Sequence, residues 1–324
     1  MAPSRLRRRI SARSCARYAL SPRRSGASSQ PSSPPPDARC AMRIAIVGTG
    51  LIGTSLGLAW RAGGHVVVGA DSDPAALAAA LARGAFECGV DLEQARDVQA
   101  LVLAAPLDAV CALLEGLRGD HRVPPLVMDV ASLQEPVLRA ALGLAGFIAT
   151  HPMAGREGGG PQAAEGALFR GRPWIYQPVG GAAEAMALRL IGETGAVAIP
   201  MDAVVHDRAV ALTSHLPQLL ALALARSVGR RVEEAGVREA VGPGLQGALR
   251  LASARWTMWR PLLKEQHSRD AELLEDVAAE LQGLARALRE RDEAALQSAF
   301  EQGSLLRHVV FHHAEDTARG QDSE

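Results

Sequence analysis

The chain has 324 residues, 48% of them hydrophobic, enough for two domains with a sizeable core. Its net charge is zero but unevenly spread: residues 1–41 hold nine arginines and one acid, Asp37, leaving 26 basic against 34 acidic residues in the remainder, a net of −8. An acidic body argues against nucleic acid as a partner, and no uninterrupted apolar run reaches the length of about 18 residues expected of a membrane span.

Residues 1–41 are rich in Arg, Ser and Pro and cannot bury enough apolar surface to order themselves. The expectation is a disordered or non-native extension, with Met42 as the natural start. An Arg-rich, acid-poor stretch of this kind also fits a transit peptide. Of the four cysteines, Cys15 and Cys40 fall in or beside this stretch, and Cys88 and Cys111 lie beyond it. None forms a CxxC pair or a zinc spacing, which fits a reducing, cytoplasmic setting.

Arg43–Val47 is a short apolar run, read as a strand buried on both faces. It leads into Gly48-Thr49-Gly50-Leu51-Ile52-Gly53, a G-x-G-x-x-G turn, and a helical pattern to Ala62. A second strand, His65–Ala70, closes on Asp71. The first glycine permits a tight turn, the second lets backbone approach a pyrophosphate, and the third lets helix pack closely on strand. The helix N-terminus offers free N–H groups to phosphate. Asp71 stands where an acid bonds the ribose hydroxyls and repels a 2′-phosphate, so NAD is expected rather than NADP.

Asp73 then caps a helix, Pro74–Gly84. Strand Ala100–Ala105 ends at Pro106, and helix Leu107–Leu117 follows. Strand Pro125–Val130 runs into Ser132, helix Pro136–Leu144 follows, and strand Phe147–Thr150 ends at His151. The alternation specifies an α/β doubly wound parallel sheet of Rossmann type. Ligands bind at the carboxyl ends of such strands, so Gly48, Pro106, Ser132 and His151 mark the site. A strand at Pro173–Gln177, a helix at Ala182–Thr194 and a short strand at Ala196–Ile199 follow. The NAD-binding domain is therefore placed at 42–200, with a helical substrate and dimerisation domain at 201–315 and a polar tail at 316–324.

The helical part opens with one long apolar stretch, Ala203–Arg231, and continues through a Gly/Pro break and a helical segment to Trp259. A last long helix carries Leu274, Val277, Leu281, Leu284 and Leu288 as a stripe for a neighbour in the same chain or a partner. His151, held out of helical geometry by Pro152, suits a proton acceptor beside a hydride-transfer centre. His215 precedes Pro217, which should distort its helix and turn it to a cleft. His206 lies nine residues earlier. At about 100° per residue it faces away from His215, so with Asp207 it is expected to serve its helix N-terminus. Arg250 reads as a surface residue or a carboxylate fork. His308 and His312 are four apart without a third ligand, so a solvated face rather than a metal is expected.

The ordered series GTGLIGTSL, DVAS, THPMAGREGGG, HDxxxALTSHLP, LRLA and then M-W resembles the prephenate/arogenate dehydrogenases of tyrosine biosynthesis, over about 43–310. The resemblance implies NAD-dependent oxidative decarboxylation of a cyclohexadienyl acid and a homodimer formed through the helical domain. It implies that His151 bonds the substrate's ring hydroxyl, that Ser132 supports His151 near the nicotinamide, and that Glu157 is an acidic gate. It further implies that His215 lines the substrate pocket, that Arg250 grips a substrate carboxylate, which overturns the surface reading, and that Trp259 stands nearby. The sequence departs from the family pattern at Gln134, where a lysine is usual, and at Gln218, where a histidine is usual. It departs also at Gly247 or Ala248 with Leu249, for an acid and threonine, and at Arg255-Trp256, for Asp-Pro. A β-hydroxyacid dehydrogenase would need a lysine in helix 203–226, which has none. A non-catalytic NAD module would predict loss of His151 or Arg250, and both are present.

Overall fold

The computed structural model describes residues 41–156 and 159–319, with side chains to 309. Five parallel strands are β1 (Arg43–Val47), β2 (Val66–Ala70), β3 (Ala100–Leu103), β4 (Leu126–Asp129) and β5 (Phe147–Ile148). They lie in the order β2-β1-β3-β4-β5. The chain reverses direction across the sheet between β1 and β3, which opens a crevice at their carboxyl ends.

Alternate side chains feed two cores, as the two-residue period of a strand requires. Ala45 and Val47 of β1 join Leu101, Leu103 and Val127. This layer packs on α3 (Leu107–Leu117) and α4 (Glu135–Ala140). Ile44 and Ile46 join Val102, Met128 and Ile148 on the other face. That face packs on α1 (Leu51–Ala62), α2 (Pro74–Ala82) and α5 (Gly181–Glu193). Trp60 of α1 is fully buried and donates its Nε1–H to the Leu190 carbonyl of α5 at 2.9 Å. Asp73 caps α2 as expected, accepting from Ala75 N–H at 2.8 Å.

The expected strand Phe147–Thr150 is divided. Thr150 donates its N–H to Asp129 Oδ1 at 3.1 Å and its hydroxyl to the Asp129 carbonyl at 2.5 Å. That clamp turns the chain out of the parallel sheet. β6 (Thr150–Pro152) then pairs antiparallel with β7 (Pro173–Tyr176), and β8 (Val197–Pro200) joins β7 in parallel. His151 thus sits in a small second sheet, opposite Ile175.

The helical half differs in detail from the expectation. The stretch from Ala203 is not one helix. α6 (Ala203–Val210) passes through a π-helical turn, Ala211–His215, into α7 (Leu216–Gly229). Pro217 lacks the N–H that would close an ordinary turn, and the wider turn absorbs the defect. α8 (Pro243–Leu249) runs into a 3₁₀ turn, Arg250–Ser253. α9 (Trp256–Glu290) starts before Trp259 rather than after it. It ends at Arg291, whose φ of 55° places a non-glycine residue in the left-handed region. α10 then runs from Glu293 to Arg319, so the tail expected at 316–324 is helical to 319.

Along the predicted stripe, Leu274 and Val277 are half-buried. Leu281 and Leu288 remain 59% and 65% exposed, and Phe300 of α10 is 80% exposed. Ala203–Gly229 is long and apolar enough to cross a bilayer on length and composition. Only 28% of that apolar window is buried, and the stretch carries the buried polar residues His206, Asp207 and His215.

Candidate active site

The glycine turn has the geometry its sequence called for. Gly48 adopts φ +100°, and a Cβ there would stand 2.4 Å from the Ala104 carbonyl oxygen. A Cβ on Gly53 would stand 1.9 Å from the Gly48 carbonyl oxygen, so only glycine lets α1 approach β1. Gly50 meets nothing within 4 Å. Its open face, with no side chain capping α1, leaves the first N–H groups of the helix available to a phosphate. Pro106 begins α3 across the crevice.

Asp71 accepts from Thr49 N–H at 2.6 Å and Thr49 Oγ1 at 2.8 Å through Oδ2, and from Asp73 N–H at 2.8 Å through Oδ1. A carboxylate has about four accepting positions. The chain uses three and leaves one on Oδ1, which suffices for a single ribose hydroxyl bond where the sequence suggested two. These residues fit a dinucleotide.

The second centre is a cluster of histidines. His151 Nδ1 lies 3.0 Å from His206 Nε2, the rings edge to face at 5.2 Å. His206 Nδ1 lies 2.7 Å from Asp207 Oδ1. Burial of the His151 ring, then its neighbours His206 and His215, pull its pKa down from 6.5 to about 3. His151 is therefore a neutral imidazole at physiological pH.

This arrangement corrects the reading of His206. The helix N-terminus is served by Asp202, which accepts from Val204 N–H at 2.9 Å. Asp207 caps a different helix: it accepts from Gln134 N–H at 2.8 Å and Glu135 N–H at 2.9 Å, at the start of α4. His206 reaches His151, while His215 reaches Asp270 and Trp259. The π-helical turn between them breaks the 100° arithmetic. Ser132 also differs from expectation. It is half-buried after β4, and among the described residues its side chain makes no hydrogen bond to His151; His206 holds that ring.

His215 is buried, with Nδ1 3.1 Å from both Asp270 oxygens and its ring edge-on to Trp259 at 5.3 Å. Its Nε2 has no partner among the described residues. Asp129 is wholly buried beside this cluster, and burial raises its pKa to about 8. It accepts from Ala131 N–H at 2.8 Å as well as from Thr150, so one carboxyl fixes the residues next to Ser132 and His151. Arg250 is exposed on its 3₁₀ turn. Glu157 lies outside the described residues. Open cavities of about 560 Å³, beside Arg208 and Arg269, and 360 Å³, beside Arg156 and Arg172, contain none of these candidate residues.

Residues 56–199 match the family model "Prephenate dehydrogenase, nucleotide-binding domain", and residues 202–302 match "Prephenate dehydrogenase, dimerization domain". The chain belongs to the prephenate dehydrogenase family. The probable prephenate dehydrogenase NovF of Streptomyces niveus is 36% identical over 83% of this chain and 75% of its own length. The cyclohexadienyl dehydrogenase of Zymomonas mobilis is 27% identical over 82% of this chain and 94% of its own. Among solved structures, prephenate dehydrogenase from A. aeolicus, in complex with hydroxyphenyl propionate and NAD+, superposes with a TM-score of 0.74 at 21% identity, covering 84% of this chain and all of that one. Synechocystis arogenate dehydrogenase superposes with a TM-score of 0.68 at 25% identity, covering 83% of this chain and all of that one.

The first family match begins inside α1, so the glycine turn rests on its own geometry. Two departures from the prephenate dehydrogenase pattern acquire a structural setting. Gln218 donates Nε2–H to the Leu251 carbonyl at 2.8 Å, bracing the turn that carries Arg250 against α7. Gln134 is fully buried, and neither atom of its carboxamide has a partner among the described residues.

Proposed function

We propose that the protein is an NAD-dependent prephenate dehydrogenase, oxidising prephenate to 4-hydroxyphenylpyruvate with loss of carbon dioxide. The observation that carries this reading is the neutral His151, held by His206 and placed one residue beyond Thr150, which Asp129 of β4 clamps to the end of the parallel sheet. Bound NAD supplies the oxidant. The glycine turn and the α1 N-terminus would hold its pyrophosphate, and Asp71 would hold a ribose hydroxyl. His151 Nε2 takes the hydroxyl proton as the carbinol becomes a carbonyl, a general-base role. Arg250 grips a carboxylate of the substrate, and His215, through its unpartnered Nε2, donates or accepts at the same molecule beside Trp259. Ser132, one residue beyond the Ala131 amide that Asp129 fixes, remains the proposed neighbour of the nicotinamide. Aromatisation then drives decarboxylation, so the protein need only orient the substrate and supply a base.

The exposed leucines of α9 and the apolar face of α10 support a homodimer through the helical part, and the two family matches, ending at 199 and starting at 202, support a domain boundary near 200. Among the described residues Cys88 and Cys111 form no disulfide, which supports a cytoplasmic location. The names of the relatives keep arogenate as the second substrate to test. Purified protein with NAD and either acid should give the absorbance of reduced nicotinamide. No signal with either acid, despite measured NAD binding, would refute the reading.

A further inference from the structure

His206 and Asp207 do more than hold a ring. Both Asp207 oxygens face backbone N–H groups, which can only donate, so Asp207 is the accepting end of the chain of contacts. His206 Nδ1, 2.7 Å from that carboxylate, must then carry its hydrogen. This leaves His206 Nε2 as an acceptor, so His151 Nδ1 at 3.0 Å is the donor. The order of donors fixes both tautomers and leaves the His151 Nε2 lone pair for a substrate hydroxyl.

We propose that His151, His206 and Asp207 form an internal proton store, which holds the substrate's hydroxyl proton during oxidation and returns it to the product. It rests on the dehydrogenase reading above. As the carbinol O–H breaks, its proton joins His151 Nε2. The proton on His151 Nδ1 passes to His206 Nε2, so the positive charge comes to rest beside the Asp207 carboxylate and His151 stays neutral. The carbinol hydrogen leaves with its electron pair to the dinucleotide, the oxidant. The C–C bond to the carboxylate then breaks, carbon dioxide departs, and the electron pair drains through the ring to the former hydroxyl oxygen. That oxygen takes the proton back along the same path. No proton is gained from or lost to solvent over the cycle.

The need for such a store follows from burial. A lone ring placed as His151 is would have to carry charge in a poorly hydrated setting. The charged and titratable groups around the pair are His151 on β6, His215 on the π-helical turn and Asp129 on β4. Glu135 on α4 stands beside Asp207 with Arg269 of α9 3.6 Å from its carboxylate. Asp207 is the acid in direct contact with His206.

His206→Gln separates storage from positioning. A carboxamide oxygen can accept from His151 Nδ1–H but cannot carry the proton onward. With NAD affinity, melting temperature and KM close to wild type, kcat should fall about 100-fold, the scale of a general-base contribution. The solvent-isotope proton inventory should change from curved, two protons in flight, to linear. Nitrogen-15 spectra of the ligand-free wild type should show hydrogen on Nδ1 of both His151 and His206. A kcat within about threefold of wild type, an unchanged inventory, or His151 carrying its hydrogen on Nε2 would overturn the store. If His206→Gln melts early, Asp207→Glu, which keeps the charge, should retain more turnover than Asp207→Asn; equal loss would count against the store. A wild type inactive with both prephenate and arogenate would sink the reading of the reaction, whereas an active wild type indifferent to His206→Gln would sink the store alone.

Discussion

Two single-methyl additions in the glycine turn should part company. In Gly53→Ala the new Cβ would lie 1.9 Å from a backbone carbonyl that cannot rotate away. Overpacking of this kind costs up to about 3 kcal/mol, and the better helix propensity of alanine returns only about 1 kcal/mol. A net loss of about 2 kcal/mol should lower Tm by roughly 3 °C in a chain of this size, and the displaced turn should weaken NAD as well. In Gly50→Ala the Cβ meets nothing, and its φ of −69° with an extended ψ suits any residue. Tm should stay level or rise slightly. The methyl would occupy the space through which the pyrophosphate reaches the α1 N–H groups. Loss of one charge-assisted hydrogen bond, about 1.5–3 kcal/mol, corresponds to roughly ten- to a hundredfold weaker NAD binding. Scanning fluorimetry and titration calorimetry on both variants give the answer. Unchanged NAD affinity in Gly50→Ala, or a wild-type Tm in Gly53→Ala, would refute the assignment of these two positions.

Asp71→Asn should weaken NAD by about tenfold while narrowing the preference over NADP, because the charge that opposes a 2′-phosphate is gone; equal losses for both nucleotides would contradict the ribose contact. Gln218→Ala removes the brace on the Arg250 turn and should raise the KM for prephenate with kcat and NAD affinity little changed; an effect on kcat alone would argue against it. Stability should fall between pH 6.5 and 8. Asp129, protonated when folded to about pH 8 but only to about 3.9 when unfolded, loses stability as pH rises through that window. His151, neutral when folded down to about pH 3, loses stability as pH falls below its unfolded value of about 6.5. From pH 4 to 6.5 the two slopes oppose each other, and above 6.5 that of Asp129 stands alone, at most about 1.4 kcal/mol per pH unit. Chemical denaturation across pH 6–8 should show the decline in wild type and a flatter profile in Asp129→Asn.

What the sequence made legible was local. The glycine turn could be read because its three glycines fall within six residues between one strand and one helix, and Asp73 because a cap acts two residues away. His151 could be read from its strand and the proline after it. His206 could not, because an ideal helix of nine residues turns it away from His215. The needed correction, a π-helical turn, was signalled only by Pro217 eleven residues on. Asp207 was further out of reach, since its backbone donors lie 73 and 72 residues away in the chain. The break between α9 and α10 falls on Arg291, where the usual glycine signal for a left-handed helix end is missing. The split of Phe147–Thr150 depends on a buried aspartate 21 residues earlier, which no periodicity announces.

The grip of Asp207 on the start of α4 ties the proposed base, His151, to the packing of the helical half on the sheet. The carboxylate comes from the helical half, and the two amides that orient it come from the sheet-bearing half. Were the halves to hinge apart, imidazole 206 would leave with one and imidazole 151 would stay with the other, so an open molecule could hold its nucleotide yet be chemically silent.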